Sequence, residues 1–272
     1  MSQRRLGRWA TTTITWLIGV FFFFPVLWMV VIGLRDERDA ATPTPTWFAK
    51  ISWANYHDVF AQDVLPYLWH SLIAASVSTA LAILLAFPAA FALSVRPVPR
   101  YRDVMSFFLS TKFLPPIAAL LPIYLIVKQI HLLDNIWALA VLYTTMNMPL
   151  LVWMLRSFLA EVPREITEAA ELDGCGTLRI MGRVLAPIST PGIAASALIS
   201  FIFAWNEFLL AVNLTATQSG TGPVALISFI TSEGLFFAHL AAVSTLVSLP
   251  VVIAGVAAQD KLVRGLSMGA VK

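Results

Sequence analysis

The sequence predicts an all-α integral membrane protein whose chain crosses the bilayer six times. Charged residues make up 12% of its 272 residues, about half of the ~25% that is usual in soluble domains, and the mean hydropathy is +0.80. Six apolar segments reach the roughly 20 residues that a helix needs to cross a bilayer core of ~30 Å. The basic residues are concentrated in alternate connections between these segments, as in membrane proteins of fixed orientation.

The six predicted spans form a single transmembrane domain over residues 1–272. The first follows three arginines, as the apolar core of a signal peptide does. It is longer than such a core and lacks an A-x-A cleavage site, so we expect it to remain as an anchor. Prolines occur in several spans, and the stretch TKFLPPIAALLP (111–122) concentrates them, which predicts a kink there. The spans lie at about residues 13–34, 68–93, 104–127, 136–155, 189–212 and 239–258.

The distribution of Lys and Arg predicts which side of the membrane each connection faces. One set of connections holds 13 of the 18 basic residues, the other set holds four, and Lys112 lies inside a span. Because cytoplasmic connections are enriched in Lys and Arg, we expect both termini, residues 94–103 and residues 156–188 in the cytoplasm. The larger set is Arg4, Arg5, Arg8, Arg96, Arg100, Arg102, Arg156, Arg164, Arg179, Arg183, Lys261, Arg264 and Lys272, and the smaller is Arg35, Arg38, Lys50 and Lys128.

A charge-dense segment at about residues 161–187 contains the sequence REITEAAELDGCG. Pro163 suits the first turn of a short helix, and Gly174 suits its end. After this turn, Thr177 can cap a second helix that ends at Pro187. The segment therefore predicts a helix–turn–helix hairpin between the fourth and fifth spans.

Three interpretations of this hairpin compete: a solvated loop, a DNA-binding helix–turn–helix, and a docking site for a cytoplasmic partner. Tethering to two spans and the acidic side chains of the first helix exclude the DNA-binding interpretation. The docking interpretation accounts for Ile166, Ala169 and Ala170 on one face, since small side chains permit close approach of a partner. The solvated loop and the docking site both remain open at this point.

Polar side chains within the predicted spans need a function or a partner, because a charge at the bilayer centre costs at least ~2.5–3.5 kcal/mol. Lys112 and Glu207 are the ionisable candidates. They can pair with each other, pack within the bundle or contact a substrate. Asn147 and Asn206 can hydrogen-bond either a neighbouring helix or a hydroxylated substrate. These four residues are the candidate substrate pathway.

The sequence resembles the permeases of binding-protein-dependent ABC importers. The residues EAAELDG (168–174), with Pro187 thirteen residues after Gly174, match the spacing of the EAA loop of that family. VLAP stands where the family has I-x-L-P, a mild departure. Further likeness covers nearly the whole chain, since NEFLLAVNLT (206–215) and LVRGLSMGAVK (262–272) look like the carbohydrate-uptake class, close to its maltose-type inner permease subunit.

This resemblance implies that the hairpin is a coupling helix seated in a cleft of a separate ATP-hydrolysing subunit. The chain contains no G-x-x-x-x-G-K-[ST] pattern, so ATP and Mg would bind to that partner, and no cofactor to this chain. The resemblance also implies two ATP-binding subunits, a second homologous permease, an extracytoplasmic substrate-binding protein and residence in the bacterial cytoplasmic (inner) membrane. The residues that take the ATPase-coupling role by position are Glu168, Ala169, Ala170, Asp173 and Gly174.

The substrate that the resemblance implies is a sugar or a polyol, since STKFLPP and EGLFFAH look like segments of the permeases for sorbitol or mannitol.

Two other classes remain as alternatives: a secondary transporter driven by an ion gradient, for which paired intramembrane carboxylates are expected, and a membrane-embedded enzyme. Neither HExxH nor GxSxG occurs, the four histidines lack metal-ligand spacing, and the single Cys175 excludes an intramolecular disulfide. We therefore expect no catalytic or metal site. The net charge of +3 is explained by basic residues that retain loops in the cytoplasm, so it does not indicate binding to nucleic acid.

Overall fold

The computed structural model confirms the all-α fold class. It describes residues 2–42, 50–95, 98–231 and 234–268. The end of the motif LVRGLSMGAVK, residues 269–272, lies outside the described residues. Helices occupy most of the described residues, and strands are confined to one antiparallel pair of two residues each.

The helices follow one another along the chain with short connections. They are α1 Ser2–Gly33, α2 Glu37–Ala40, α3 Ala54–Ala61, α4 Val64–Ser94, α5 Tyr101–Phe113, α6 Pro116–Gln129, α7 Ile136–Ala160, α8 Arg164–Leu172, α9 Thr177–Arg179, α10 Ala186–Ile188, α11 Thr190–Trp205, α12 Leu209–Leu214, α13 Gly222–Ala225 and α14 Phe237–Met268. A π-helical segment, Ile180–Leu185, joins α9 to α10, and a 3₁₀ helix, Leu226–Phe229, precedes the strands β1 Ile230–Thr231 and β2 Gly234–Leu235.

Four helices in the described part of the chain are long and apolar enough to span a membrane by themselves. They coincide with the first, second, fourth and sixth predicted spans, and their apolar parts are Thr11–Gly33, Val64–Ser94, Ile136–Ala160 and Phe237–Gln259. The prolines inside these helices do not end them. Two further helix pairs are sharply bent, and they bring the number of spans up to six if each pair is one span.

The third predicted span, residues 104–127, is not continuous. Helix α5 ends at Phe113, α6 begins at Pro116, and the two helices meet at 88°. Leu114 and Pro115 both have an extended backbone, because each of them precedes a proline and is therefore restricted to that region. The kink predicted for this proline-rich stretch is confirmed, but it breaks the helix completely.

The fifth predicted span, residues 189–212, is also interrupted. Helix α11 has 16 residues and is followed by a non-helical break at residues 206–208 before α12 begins. The carboxylate of Glu207, which lies in this break, accepts backbone N–H groups from the first turn of α12 and so fixes the start of a new helix. Hydropathy alone missed the break, because the residues on both sides of it are equally apolar.

The chain forms two compact units. They are Met1–Leu65 with Ala225–Leu249, and Pro66–Val224 with Pro250–Lys272. In the first unit, Gly33 allows close packing of α1 on α14, since a Cβ there would lie 3.0 Å from the backbone nitrogen of Ala242. The imidazole of His239 in this unit lies between two carboxylates, with Nδ1 3.2 Å from Glu37 and Nε2 3.4 Å from Asp58.

The second unit contains all the candidate site residues and two apolar clusters. One cluster packs α4 and α7 against the hairpin, and the other surrounds Tyr143 on α7 and Trp205 on α11. Helix α11 lies so close to α7 that a Cβ at Gly192 would overlap the ring of Phe158. These contacts make α4, α7, α11 and the hairpin one packed body.

Candidate functional site

The hairpin begins with α8, whose end is fixed by two backbone hydrogen bonds. The N–H of Cys175 donates to the carbonyl of Ala170 at 2.9 Å, and the N–H of Gly174 donates to the carbonyl of Glu171 at 3.0 Å. Gly174 has φ of +78°, the left-handed conformation that glycine adopts more readily than any residue with a Cβ. Together these features form a Schellman motif. The predicted end of the helix at Gly174 is confirmed, and the turn has a defined geometry.

The second arm of the hairpin runs from residue 177 to residue 188 and differs from the prediction in two respects. Gly176, not Thr177, precedes the first helical residue, and no side chain caps this helix. The helix also continues through Pro187, and the chain bends by 83° only at Ser189. Pro187 is tolerated because it lies in the first turn of α10, directly after the π-helical segment, where the regular hydrogen-bond register is already changed.

The inner face of the hairpin is part of the hydrophobic core. Ala170 from the first arm, with Ile180 and Leu185 from the second, is buried in the same cluster as Leu155 and Leu159 of α7. Ala170 was predicted to face a partner, but the structure buries it within the chain's own fold. The hairpin is therefore anchored to the end of a membrane-spanning helix on its inner side.

The outer face of the hairpin carries two large apolar side chains with almost no cover. Leu172 is 90% exposed and Leu178 is 82% exposed, and they stand on either side of the turn. Sequence reasoning did not assign either of them to the docking surface, although a leucine in an otherwise acidic helix was a signal for it. The predicted coupling residues that are exposed are Glu168, Ala169, Asp173 and Gly174.

Lys112 and Glu207 do not form the ion pair that their depth in the spans made possible. The described residues include both side chains, and no ion pair between them occurs there. Lys112 is exposed at the end of α5, with its Nζ 6.0 Å from the centre of the Phe203 ring. Glu207 caps α12 by accepting the N–H groups of Leu210 at 2.9 Å and Ala211 at 3.2 Å.

The two asparagines of the candidate pathway have different surroundings. Asn147 is buried, and its amide nitrogen donates to the carbonyl of Ser200 on α11 at 3.3 Å, so it joins two helices. Its Oδ1 has no hydrogen-bond partner within the described residues. Asn206 is exposed, and its amide donates to the carbonyl of Ile202 one turn earlier at 2.8 Å.

All four candidate pathway residues border one helix, α11. Lys112 approaches it at Phe203, Asn147 at Ser200, and the other two candidates follow its last residue. The sequence placed these residues on three separate spans without a common neighbour. The structure therefore brings them to a single element, although it does not bring them into contact with one another.

The comparison with known protein families decides the identity of the chain. The model of the family described as the inner membrane component of binding-protein-dependent transport systems matches residues 82–267. The chain belongs to this family. It is therefore a multi-pass protein of the inner membrane, and its predicted resemblance to ABC importer permeases is confirmed.

Relatives cover this permease over almost its full length. It is 34% identical over 262 residues to a probable ABC transporter permease protein of Sinorhizobium fredii, with 96% of this chain and 94% of that protein covered. It is 30% identical over 279 residues to the trehalose transport system permease protein SugB of Mycobacterium tuberculosis, with 100% of both chains covered. Its fold is similar to a chain in the crystal structure of a bacterial ABC transporter involved in the import of alginate, an acidic polysaccharide, with a TM-score of 0.76, 17% identity, and coverage of 96% of this chain and 98% of that one.

No group of three or more His, Cys, Asp or Glu side chains within the described ranges could hold a metal ion. Glu207 caps a helix, whereas a secondary transporter would be expected to have paired carboxylates.

Sequence reasoning missed an acidic residue that organises a loop of the permease. The carboxylate of Asp134, between α6 and α7, accepts the N–H groups of Ala216, Gln218 and Ser219 at 2.9–3.0 Å and the Ser219 hydroxyl at 2.8 Å. The cluster of Thr, Gln, Ser and Gly after α12 was a signal for a turn rich in free N–H groups. Nothing local to Asp134 showed that it would bind there, because 82 residues separate it from Ala216.

Proposed function

We propose that this chain is the permease subunit of an ATP-driven importer that moves a sugar or polyol across the cytoplasmic membrane. The single observation that carries this proposal is the two-sided hairpin. Its inner face is buried with α7, whereas its outer face presents Leu172 and Leu178 to solvent. Exposed apolar side chains on a segment whose opposite face is packed in the core are typical of a docking surface. The docking interpretation is therefore favoured over the solvated loop.

The hairpin supports a coupling role because its second arm leads directly to the candidate pathway. After residue 188 the chain turns at Ser189 and continues as α11, the helix that all four pathway candidates border. A displacement of the hairpin by a partner bound to its outer face would move α7 through the buried inner face, and would move α11 through the continuous chain. A packed contact between stiff elements can transmit such a displacement between two discrete states.

The partners follow from this role. Two ATP-binding subunits would carry ATP and Mg and would receive the outer face of the hairpin. An extracytoplasmic binding protein would deliver the substrate, and a second, homologous permease would complete the pathway. The orientation predicted from Lys and Arg, with both termini cytoplasmic, places the hairpin on the side where ATP is available.

The substrate class is supported by the sequence resemblance to polyol and carbohydrate permeases and by the relative named for trehalose. Lys112, Asn206 and Glu207 supply polar groups, and Phe203 supplies an aromatic ring, which is a combination suited to a hydroxylated ligand. Asn147 contributes by joining α7 to α11 through its amide nitrogen.

Uptake measured with the assembled transporter in vesicles tests this function. The complex should accumulate radiolabelled trehalose or sorbitol only when ATP and Mg are supplied on the ATPase side. We expect Leu172→Ser to reduce uptake at least ~tenfold, since a lost leucine contact is worth about 1.5–3 kcal/mol. Glu168→Lys and Gly174→Leu alter the same hairpin, and each should also reduce uptake at least ~tenfold. Gly174→Leu adds strain at the positive φ, where open space rules out a clash.

The control is Asp103→Lys, which reverses an exposed carboxylate at the start of α5, outside the hairpin. This variant should retain uptake and substrate-stimulated ATP hydrolysis. Normal coupling in all three hairpin variants would refute the role of the hairpin. Uptake that follows an ion gradient in the absence of ATP would refute the importer class.

A further inference from the structure

A cavity of about 200 Å³ lies beside the root of the hairpin. It is formed where the end of α4, the start of α5, the end of α7 and the start of α8 meet. Its polar lining residues are Ser94, Tyr101, Arg156, Arg164 and Thr167. Pockets for drug-sized ligands usually measure roughly 300–1,000 Å³. This cavity is therefore suited to a smaller group, and two of its polar residues are cationic.

Arg156 is half-buried in this cavity without a counter-charge. Its Nε donates a long hydrogen bond, 3.4 Å, to the carbonyl of Leu93, and its Cζ lies 5.2 Å from the centre of the Tyr101 ring. Neither Arg156 nor Arg164 forms an ion pair with a carboxylate of the described chain. A guanidinium that is partly removed from water is stabilised when an anion accepts its remaining N–H groups.

A second polar group without a partner lies in the wall of the cavity. The Oγ of Ser94 is buried and has no hydrogen-bond partner among the described residues, although Ser94 lines the cavity. Buried hydroxyl groups are nearly always hydrogen-bonded in folded proteins. The acidic residues nearest in sequence, Asp103, Glu161 and Glu165, are exposed and do not line the cavity. The cavity is therefore lined by two arginines that lack a counter-charge in the described chain, and no carboxylate lines it.

We propose that this cavity binds a phosphate-bearing anion. The planar fork of Arg156 matches two phosphate oxygens, and Arg164 adds a second positive charge. Two sources share this chemistry: the headgroup of an anionic phospholipid in the surrounding leaflet and a free phosphate ester. A bound anion would tie α4, α7 and α8 together and so brace the root of the hairpin.

Direct binding to the assembled, detergent-purified transporter tests the proposal. Phosphatidylglycerol is titrated against phosphatidylcholine and read by native mass spectrometry, and inorganic phosphate and glycerol 3-phosphate are titrated by calorimetry. We expect Arg156→Gln to weaken binding at least ~tenfold, since a charged hydrogen-bonded contact is lost. The matched control is Arg183→Gln, which removes an exposed arginine of the hairpin outside the cavity and should bind like the unaltered protein.

The outcomes separate the two sources. Binding of phosphatidylglycerol alone, lost in Arg156→Gln, supports a lipid headgroup, and binding of the soluble phosphates as well supports a free ester. Equal binding by Arg156→Gln, Arg183→Gln and the unaltered protein overturns the proposal, as does the absence of any binding. If Arg156→Gln fails to assemble, Arg164→Gln replaces it, and unchanged binding in that variant overturns the proposal. The ATP-binding sites of the partner subunits are the same in every variant, so a difference in phosphate binding between variants does not come from them. The test measures binding and not uptake, so its outcome does not depend on the proposed transport function.

Discussion

Lys112 has an aromatic ring for a neighbour, where its position in the sequence suggested a carboxylate. Its Nζ lies 6.0 Å from the centre of the Phe203 ring, a distance at which a cation–π contact contributes about 0.5–1 kcal/mol at an exposed site. Such a contact leaves the ammonium group free to donate its protons to another molecule. A lysine held in this way would suit the hydroxylated substrate proposed above.

At the residue scale, we expect Lys112→Ala to change transport without loss of assembly. Removal of the ammonium group should raise the KM for uptake roughly three- to tenfold, because one hydrogen bond to a charged group is lost. The control is Lys128→Ala, which removes an exposed lysine from the end of α6. Uptake kinetics in vesicles would decide the matter, and identical values for both variants and the unaltered protein would leave Lys112 with a packing role only.

At the element scale, Asp134 ties the loop that follows α12 to the connection between α6 and α7. Burial raises the pKa of Asp134, but hydrogen bonds from Ala216, Ser219 and Gln218 lower it by more, so the pKa lies below its ordinary value. A depressed pKa in the folded state means that the carboxylate stabilises the fold above its unfolded pKa of about 3.9. This stabilisation is lost as the pH falls through the lowered pKa.

Hydrogen exchange of this loop tests that tie. The amides of Ala216, Gln218 and Ser219 should exchange slowly at neutral pH and lose their protection only in strong acid, after correction for the intrinsic pH dependence. Asp134→Asn should abolish the protection at neutral pH, while Asp63→Asn, at an exposed acidic position elsewhere, should not. Protection that is unchanged in Asp134→Asn would show that the loop is held by other contacts.

At the scale of the whole molecule, the proposed orientation has a natural probe. Cys175 is the single cysteine of the chain and lies in the turn of the hairpin. A membrane-impermeant maleimide should label it in inside-out vesicles and leave it unlabelled in intact cells. Thr217→Cys in a Cys175→Ser background should show the opposite pattern, because residue 217 is exposed and the proposed orientation puts it on the other side of the membrane from the hairpin. Labelling of Cys175 in intact cells would show that the hairpin faces outward. The proposed orientation would then be wrong, and no cytoplasmic ATPase could bind the hairpin.

Much of the fold followed from local composition. Four of the six spans coincide with predicted segments, because a long apolar run remains helical whatever packs against it. The two interrupted spans show where this reasoning ends. The break after Phe113 was signalled by consecutive prolines, whereas the break at Glu207 depends on a side chain that turns back to cap α12. Hydropathy does not record which backbone groups a carboxylate will bind.

The candidate site shows the same division. The sequence by itself determined the membrane class, the hairpin and the glycine at its turn, because hydropathy, charge and backbone conformation are properties of short segments. Only the tertiary structure decided that Ala170 is buried, that Leu172 and Leu178 are exposed, and that Lys112 faces Phe203. These facts depend on which distant segments pack together, and the neighbours of a side chain are set by that packing rather than by its own position in the chain.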